Sequence, residues 1–216
     1  MNNYFCELNL TAIFSNDEAI DKIYKFKRAS ERPYAGILTD FNELLNPELV
    51  YAFKQLQVEP IVLIAFGHRA NAEIKINPFV HLDLQRIENT WVKVPFAINW
   101  EVYDTALELK WYDTTNMKEC YPPNYNTDDP RYVYGNGINY VERYDFSRPN
   151  VPNPSWDFVP AYSHKFKHQC ATMINTSIPH SVDYSGLESR LNISLRFNPN
   201  AIPTWESAIE RFKSVR

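Results

Sequence analysis

The chain has 216 residues, a formal net charge of −4 at pH 7, 44% hydrophobic residues and 15 prolines against five glycines. A chain of this length can bury a sizeable core, and an all-β chain of this size commonly folds as one domain. The acidic balance, with no basic run, argues against nucleic acid as the main partner. No apolar run approaches the roughly 18 residues of a membrane span. Three unclustered cysteines are typical of a reducing compartment, so we expect a cytoplasmic protein.

The N-terminal quarter predicts one strand and two helices. Residues 4–14 alternate loosely, as a strand does. Residues 15–18 are polar and acidic and open an amphipathic helix that ends at residues 31–33, where a proline stands. Residues 46–48 open a second helix, with Pro47 at its first helical position. Neither helix carries a chemical motif, and both are expected to pack on the outside of a sheet.

From residue 60 onward the sequence predicts short strands. A continuous apolar run predicts a buried strand, and further segments alternate between apolar and polar residues; these strand candidates are 60–66, 73–76, 79–86, 91–99, 107–112, 171–176 and 189–197. Because no helical pattern separates them, they indicate an antiparallel sandwich or barrel.

The connections between these strands carry their own signals. Residues 113–130 predict a long loop, which is either a lid over a site or a surface excursion. Gly135-Asn136-Gly137 is a turn signal and predicts a hairpin between residues 132–134 and 138–146. Residues 147–160 form a proline-rich connection, and residues 203–215 predict a closing amphipathic helix.

The chemical centre of the sequence is the motif His81-Leu82-Asp83. On an extended strand, side chains two apart point to the same face, so His81 and Asp83 can reach one metal ion while Leu82 turns into packing. This is the sequence form of the two-His-one-carboxylate triad that holds non-haem Fe(II) with open coordination positions. The third ligand must come from elsewhere, and His180 is the candidate. The alternative is a buried histidine that is hydrogen-bonded to a nearby aspartate.

The last predicted strand has an unusual polar face. Arg190, Asn192, Ser194 and Arg196 share one side, and the intervening residues are all apolar. Two arginines on an inner face are expected where the strand lines a pocket for a carboxylate, because the planar guanidinium pairs bidentately with that group. The alternative is a solvent-exposed face. Asn99, at the end of its strand, is a weaker candidate for a supporting residue.

Four segments carry a resemblance to a known family: V-H-L-D (80–83), V-P-F-A-I-N (94–99), I-N-T-S-I-P-H-S-V (174–182) and R-L-N-I-S-L-R-F (190–197). Together they resemble the 2-oxoglutarate/Fe(II)-dependent dioxygenases, nearest to the small aspartyl/asparaginyl-hydroxylase-like members of bacteria and phages. The resemblance spans roughly residues 60–198. The best-known animal members of that branch lack the carboxylate ligand, whereas this chain has Asp83, which also argues against the related halogenases.

The resemblance implies a mainly β fold, a double-stranded β-helix of the jelly-roll or cupin type with flanking helices. Residues 1–216 would form one domain, with N-terminal helical support at about 15–57, a catalytic core at about 60–198 and a C-terminal helix at about 203–215. It also implies location in a bacterial cytosol or a phage-infected host. The sequence of residues 113–130 does not identify the prime substrate, and the oligomeric state is equally open.

The same resemblance implies an enzyme that uses Fe(II), 2-oxoglutarate and O2 to hydroxylate an unidentified substrate. Iron would be held by His81, Asp83 and His180. Arg190, ten residues after His180, fits the spacing of the arginine that binds the far carboxylate of 2-oxoglutarate, ahead of Arg196. The weaker candidates for cosubstrate binding are Asn99 and Asn192.

Other interpretations remain open at this point. The chain could be a non-catalytic β-sandwich binding or structural module, such as a virus-associated one, or a cupin-like metalloenzyme in which Arg190 is dispensable. His164 and His168 could share a helical face near Cys170 as a zinc site, but further ligands at zinc-like spacing are missing. His68 is expected on the surface, in a turn.

Overall fold

The computed structural model describes residues 2–29, 35–68, 80–87, 90–103, 107–113, 115, 117–120, 134–135, 139–142, 158–183 and 190–216. Their strands are β1 (Phe5–Leu8), β2 (Ala35–Leu38), β3 (Pro60–His68), β4 (Leu84–Ile87), β5 (Thr90–Lys93), β6 (Phe96–Glu101), β7 (Glu108–Trp111), β8 (Met117–Cys120), β9 (Tyr134–Gly135), β10 (Asn139–Glu142), β11 (Tyr162–Lys165), β12 (Ala171–Asn175), β13 (His180–Asp183) and β14 (Arg190–Phe197). The helices are α1 (Asp17–Ala29), α2 (Pro47–Gln55) and α3 (Trp205–Arg211), with short 3-10 turns at Asn42–Leu44 and Lys213–Val215.

A six-stranded antiparallel sheet, here called the major sheet, has the order β1-β12-β6-β14-β3-β2. Smaller antiparallel sheets have the orders β11-β7-β13, β5-β4-β9 and β10-β8. The protein is therefore mainly β and antiparallel, with few helices, which is compatible with a β-sandwich. The predicted fold class is confirmed at that level.

The outer face of the major sheet is apolar and is covered by helices. Leu191, Ile193 and Leu195 of β14 belong to the same buried cluster as Leu49 of α2 and Ile23 of α1. Burying a side chain of this size stabilises a fold by about 1.5–3 kcal/mol. The prediction that both N-terminal helices pack outside a sheet is thereby confirmed.

The inner face of the major sheet carries a row of buried polar side chains. Asn192, Ser194 and Arg196 of β14 are all buried, so the solvent-exposed alternative for this face is wrong at these three positions. The sheet β11-β7-β13 lies over it, and an apolar cluster joins the two layers; it includes Ala97, Leu107, Leu109, Trp111 and Ile174. The polar row therefore faces a protein interior.

The helix starts follow the predicted capping residues. The Asn16 side chain accepts a hydrogen bond from the Ala19 backbone N–H at 3.0 Å. The Asn46 side chain does the same for Glu48 at 3.0 Å, and Pro47 opens α2. These side chains satisfy N–H groups that have no partner inside the first helical turn. None of the helices in the described ranges is long and apolar enough to cross a membrane.

The predicted hairpin and the predicted long loop are described only in part. β9 pairs with β4 and β10 pairs with β8, and residues 136–138, at the predicted hairpin turn, lie outside the described part of the chain. Met117–Cys120 forms β8 within the segment predicted as a loop, and most of the remaining loop residues lie outside the described part of the chain. A turn signal is local, whereas strand pairing is decided by distant partners.

Smaller corrections concern strand boundaries. The segment predicted as one strand over residues 91–99 divides into β5 and β6. Pro95 lies at the break, where its missing N–H cannot join a ladder. His68 ends β3 instead of lying in a turn, and its side chain is outside the described residues. The predicted strand at 73–76 also lies outside them.

Candidate metal centre

His81 and His180 are joined through their backbones. The His81 N–H donates to the His180 carbonyl at 2.9 Å, and the His180 N–H donates to the His81 carbonyl at 2.9 Å. This reciprocal pair brings the two imidazoles together, with ring centroids 4.7 Å apart. Two stretches that are far apart in sequence therefore meet at one place.

The H-x-D motif lies immediately before a strand, because β4 begins at Leu84. The prediction that it lies within the strand is wrong in this detail. The expected alternation nevertheless holds: Leu82 is buried in a cluster with Val80, Leu84 and Tyr112. His81 and Asp83 take the opposite side of the chain from Leu82, since they approach each other.

His81, Asp83 and His180 each offer one ligand atom, and these atoms all lie within 4.8 Å of one another. His81 Nε2 is 3.6 Å from Asp83 Oδ1, and His180 Nε2 is 3.8 Å from Asp83 Oδ2. An ion bonded to two atoms at about 2.1 Å can span up to about 4.2 Å between them, so each of these two histidine–carboxylate pairs can bind one ion. Two imidazoles and one carboxylate form the donor set of a facial triad.

The orientation of His180 suits metal binding. Its Nδ1 lies 2.9 Å from the Ile178 carbonyl, so Nδ1–H donates to that oxygen and Nε2 turns its lone pair to the site. Burial lowers the pKa of His180 to about 4; the Asp83 carboxylate acts in the opposite direction, and His81 adds to the lowering. The imidazole is therefore neutral at pH 7, which is the form that binds a metal.

Two aromatic residues, Trp111 at the end of β7 and Tyr112 directly after it, fix the turn that leads into His180. The Trp111 indole N–H donates to the Asn175 carbonyl at 2.9 Å, and the Tyr112 backbone N–H donates to the Pro179 carbonyl at 2.9 Å. The Tyr112 hydroxyl also lies 2.9 Å from Ser181 Oγ. These contacts hold the chain on both sides of the histidine.

Arg196 lies against the carboxylate of the triad. Its Nη1 is 2.8 Å from Asp83 Oδ2, and both side chains are buried. Arg190 opens the same strand, where its Cα pairs with that of His68. Six positions, about 20 Å at the usual rise of a strand, separate the two arginines. The Arg190 side chain itself lies outside the described part of the chain.

Other polar side chains line the same interior face. Ser194 Oγ donates to Asn99 Oδ1 at 2.6 Å, and both residues are buried. Asn192 is buried two residues before Ser194, so both predicted weaker candidates, Asn99 and Asn192, lie on the inner face with Arg196. Thr172 of β12, which pairs with Asn99 of β6, was not predicted to lie on this face. Its position between the apolar residues Ala171 and Met173 is the sequence signal that could have indicated it.

The zinc alternative is wrong in its geometry. His164 lies in β11, where its ring stacks on Phe5 with centroids 3.7 Å apart. Burial lowers the pKa of His164, and the charge of Glu7 opposes that effect. His168 forms a backbone bridge with Glu101. The two histidines therefore share no helical face, and within the described ranges only the His81 group brings three metal-binding side chains together.

No protein-family model matches the sequence, and no curated protein matches it either. Among solved structures, HygX from Streptomyces hygroscopicus with iron bound aligns at a TM-score of 0.40 and 10% identity, over 91% of this chain and 82% of that chain. HygX with nickel and 2-oxoglutarate bound aligns at a TM-score of 0.38 and 9% identity, over 90% of this chain and 82% of that chain. Likeness at this level establishes neither a family nor a function.

Proposed function

We propose that this protein is an Fe(II)- and 2-oxoglutarate-dependent oxygenase, built as a single double-stranded β-helix domain. The observation that carries the proposal is the meeting of His81, Asp83 and His180, whose ligand atoms lie within 4.8 Å of one another. Their donor set is the one that holds Fe(II) while leaving positions open for other ligands. Bound Fe(II), with 2-oxoglutarate and O2, would supply the oxidising power to hydroxylate an unactivated C–H bond, with succinate and CO2 as products.

The protein's own residues supply orientation and a largely buried environment. The Ile178 carbonyl fixes the tautomer of His180, and burial keeps that imidazole neutral by lowering its pKa to about 4. The Arg196 guanidinium holds Asp83 Oδ2, so Oδ1 is the carboxylate oxygen nearer to His81. His180, Asp83 and Arg196 are buried, whereas the His81 side chain is 28% exposed, so ligands would reach the site from the side of His81.

The two arginines of β14 have different roles in this proposal. Arg196 touches Asp83 and therefore positions a metal ligand. Arg190 is proposed, from the spacing to His180, to bind the far carboxylate of 2-oxoglutarate. Asn99 and Asn192 lie on the buried face between them and would donate further hydrogen bonds to the cosubstrate.

The proposal is tested by anaerobic titration of metal-stripped protein with Fe(II) and then 2-oxoglutarate, following the weak visible charge-transfer band of the chelate. We expect the band in the unaltered protein and in the control His168→Ala, an exposed histidine outside the site. We expect the band to be lost in His180→Ala. In Arg190→Ala we expect the band to need a higher 2-oxoglutarate concentration, with unchanged iron stoichiometry. Iron binding without any effect of 2-oxoglutarate would favour the cupin-like alternative, and no iron binding by folded protein would favour the binding module.

A further inference from the structure

A second buried carboxylate lies on the inner face of the major sheet, away from the metal-binding residues. Glu101 is the last residue of β6 and is only 1% exposed. Ile98 and Trp100 of the same strand pack in the cluster under the helices. Because side chains alternate along a strand, Asn99 and Glu101 point to the opposite, inner face. The proposed function has so far given Glu101 no role.

The burial of Glu101 calls for a positive charge nearby. The Leu107 backbone N–H donates to Glu101 Oε1 at 3.2 Å. One N–H group does not balance a full negative charge, and a charge that is buried without an opposite charge is strongly destabilising. We therefore expect a cationic side chain beside the Glu101 carboxylate.

The strand register identifies the candidate for this cation. Glu101 lies opposite Asn192 of β14. The Val102 N–H donates to the Leu191 carbonyl at 2.8 Å, so the ladder continues past Glu101 towards the start of β14. Arg190 precedes Asn192 by two positions and is therefore the diagonal neighbour of Glu101 on the same face. Diagonal neighbours have Cα atoms about 7–8 Å apart, which is within reach of long side chains.

Other cationic residues near this region are engaged elsewhere. Arg196, the other arginine of the inner row, contacts Asp83 at 2.8 Å and stands four positions beyond Asn192, about 13 Å along the strand. Lys167 lies close in sequence to His168, which forms a backbone bridge with Glu101, but its exposed side chain pairs with Glu7 at 2.7 Å. Arg190 is therefore the best candidate for the charge that balances Glu101.

The charges of the interior support this pairing. Asp83 with Arg196, and Glu101 with Arg190, would make the inner face neutral as a whole. The charges of Fe(II) and of fully ionised 2-oxoglutarate also cancel each other, so both could enter without leaving a net buried charge. A guanidinium has five N–H donors in a planar fork. One edge of Arg190 could therefore hold Glu101 while another edge stays available for a ligand carboxylate.

We infer that Glu101 is a positioning residue, which pairs with Arg190 and holds its guanidinium in place for the far carboxylate of 2-oxoglutarate. The inference rests on the proposed function, because the role of Arg190 belongs to it. The opposing account makes Glu101 only a negative charge near an anionic ligand. The two accounts differ in sign: loss of a nearby negative charge strengthens the binding of an anion, whereas loss of a positioning group weakens it.

The first test is anaerobic titration of the Fe(II)-loaded full chain with 2-oxoglutarate, following the chelate band. We expect Glu101→Gln to raise the 2-oxoglutarate Kd roughly tenfold or more, with unchanged iron stoichiometry. The second probe is 2-oxopentanoate, which has the same carbon chain without the far carboxylate, and its Kd should not change. The matched control Glu59→Gln, at an exposed position before β3, should leave both Kd values unchanged.

The second test is urea denaturation of the metal-free protein and needs no ligand. We expect Glu101→Gln and Arg190→Met each to lower the denaturation midpoint, and the double variant to lose less than the sum of the two losses. If Glu101→Gln does not fold, the double variant should fold, because it removes both charges of the pair.

The inference is overturned if Glu101→Gln leaves the 2-oxoglutarate Kd unchanged or lowers it, if 2-oxopentanoate is weakened to the same extent, or if the two losses in the denaturation midpoint simply add. Failure of the proposed function looks different, because the unaltered protein would then bind no Fe(II), or would bind Fe(II) and show no response to 2-oxoglutarate.

Discussion

Arg196 Nη1 lies 2.8 Å from Asp83 Oδ2, and the two side chains are only 4% and 7% exposed. The pair joins β14, an inner strand of the major sheet, to the H-x-D motif that supplies two of the candidate metal ligands. A buried charge without its partner is strongly destabilising, whereas a pair that is removed together costs far less. Arg196 thus links the stability of the fold to the orientation of the site.

Replacement of Arg196 by methionine tests this link. We expect Arg196→Met to lower the free energy of unfolding of the metal-free protein by about 3–5 kcal/mol, because the Asp83 carboxylate stays buried and loses the opposite charge of Arg196. The double variant Arg196→Met with Asp83→Asn should recover a substantial part of that loss. Urea denaturation measures both, and a single-variant loss no larger than that of the double variant would contradict the coupling.

His180 makes the stability of the metal-free protein depend on pH. Its pKa is about 4 in the folded chain, because of burial, against about 6.5 in an unfolded one. The unfolded state therefore binds more protons between these values, so stability is fully present above pH 6.5 and is lost as the pH falls towards 4. The loss amounts to roughly 3 kcal/mol.

Denaturation at a series of pH values measures this dependence. His180→Gln should flatten the profile between pH 6.5 and 4, whereas His168→Gln, at an exposed position, should leave it unchanged. A slope that persists in His180→Gln would assign the dependence to another group.

The buried hydrogen bond from Ser194 to Asn99 is 2.6 Å long and connects β14 to β6, two residues before Arg196. Ser194→Ala leaves the Asn99 oxygen without this donor, and we expect a loss of about 1–3 kcal/mol in the free energy of unfolding. Ser163→Ala, at an exposed position of β11, is the matched control and should have almost no effect. Equal losses in the two variants would contradict the assigned role.

The proximity of His81 and Asp83 could be predicted from local rules, and the approach of His180 could be predicted from the family resemblance that residues 174–182 carry. Alternation places His81 and Asp83 on one side of the chain, and Leu82 packs as expected on the other. The polar face of β14 was likewise visible in the alternation of its residues, and its burial at Asn192, Ser194 and Arg196 followed from the two-layer fold.

The contacts that could not be predicted are those that depend on which strands become neighbours in the fold. The Arg196–Asp83 pair arises because the β14 end that carries Arg196 passes the H-x-D motif, and no local pattern specifies that contact. The same limit explains why β9 pairs with β4 and β10 pairs with β8 despite a good turn signal between them.

The proposed iron site is tested most directly by an anomalous difference map at the iron edge, from crystals grown anaerobically with Fe(II). We expect one strong peak bonded to His81 Nε2, an oxygen of Asp83 and His180 Nε2, with Arg196 still against the other carboxylate oxygen. Iron bound at a different place, or no iron in well-ordered crystals grown with Fe(II), would contradict the proposed site.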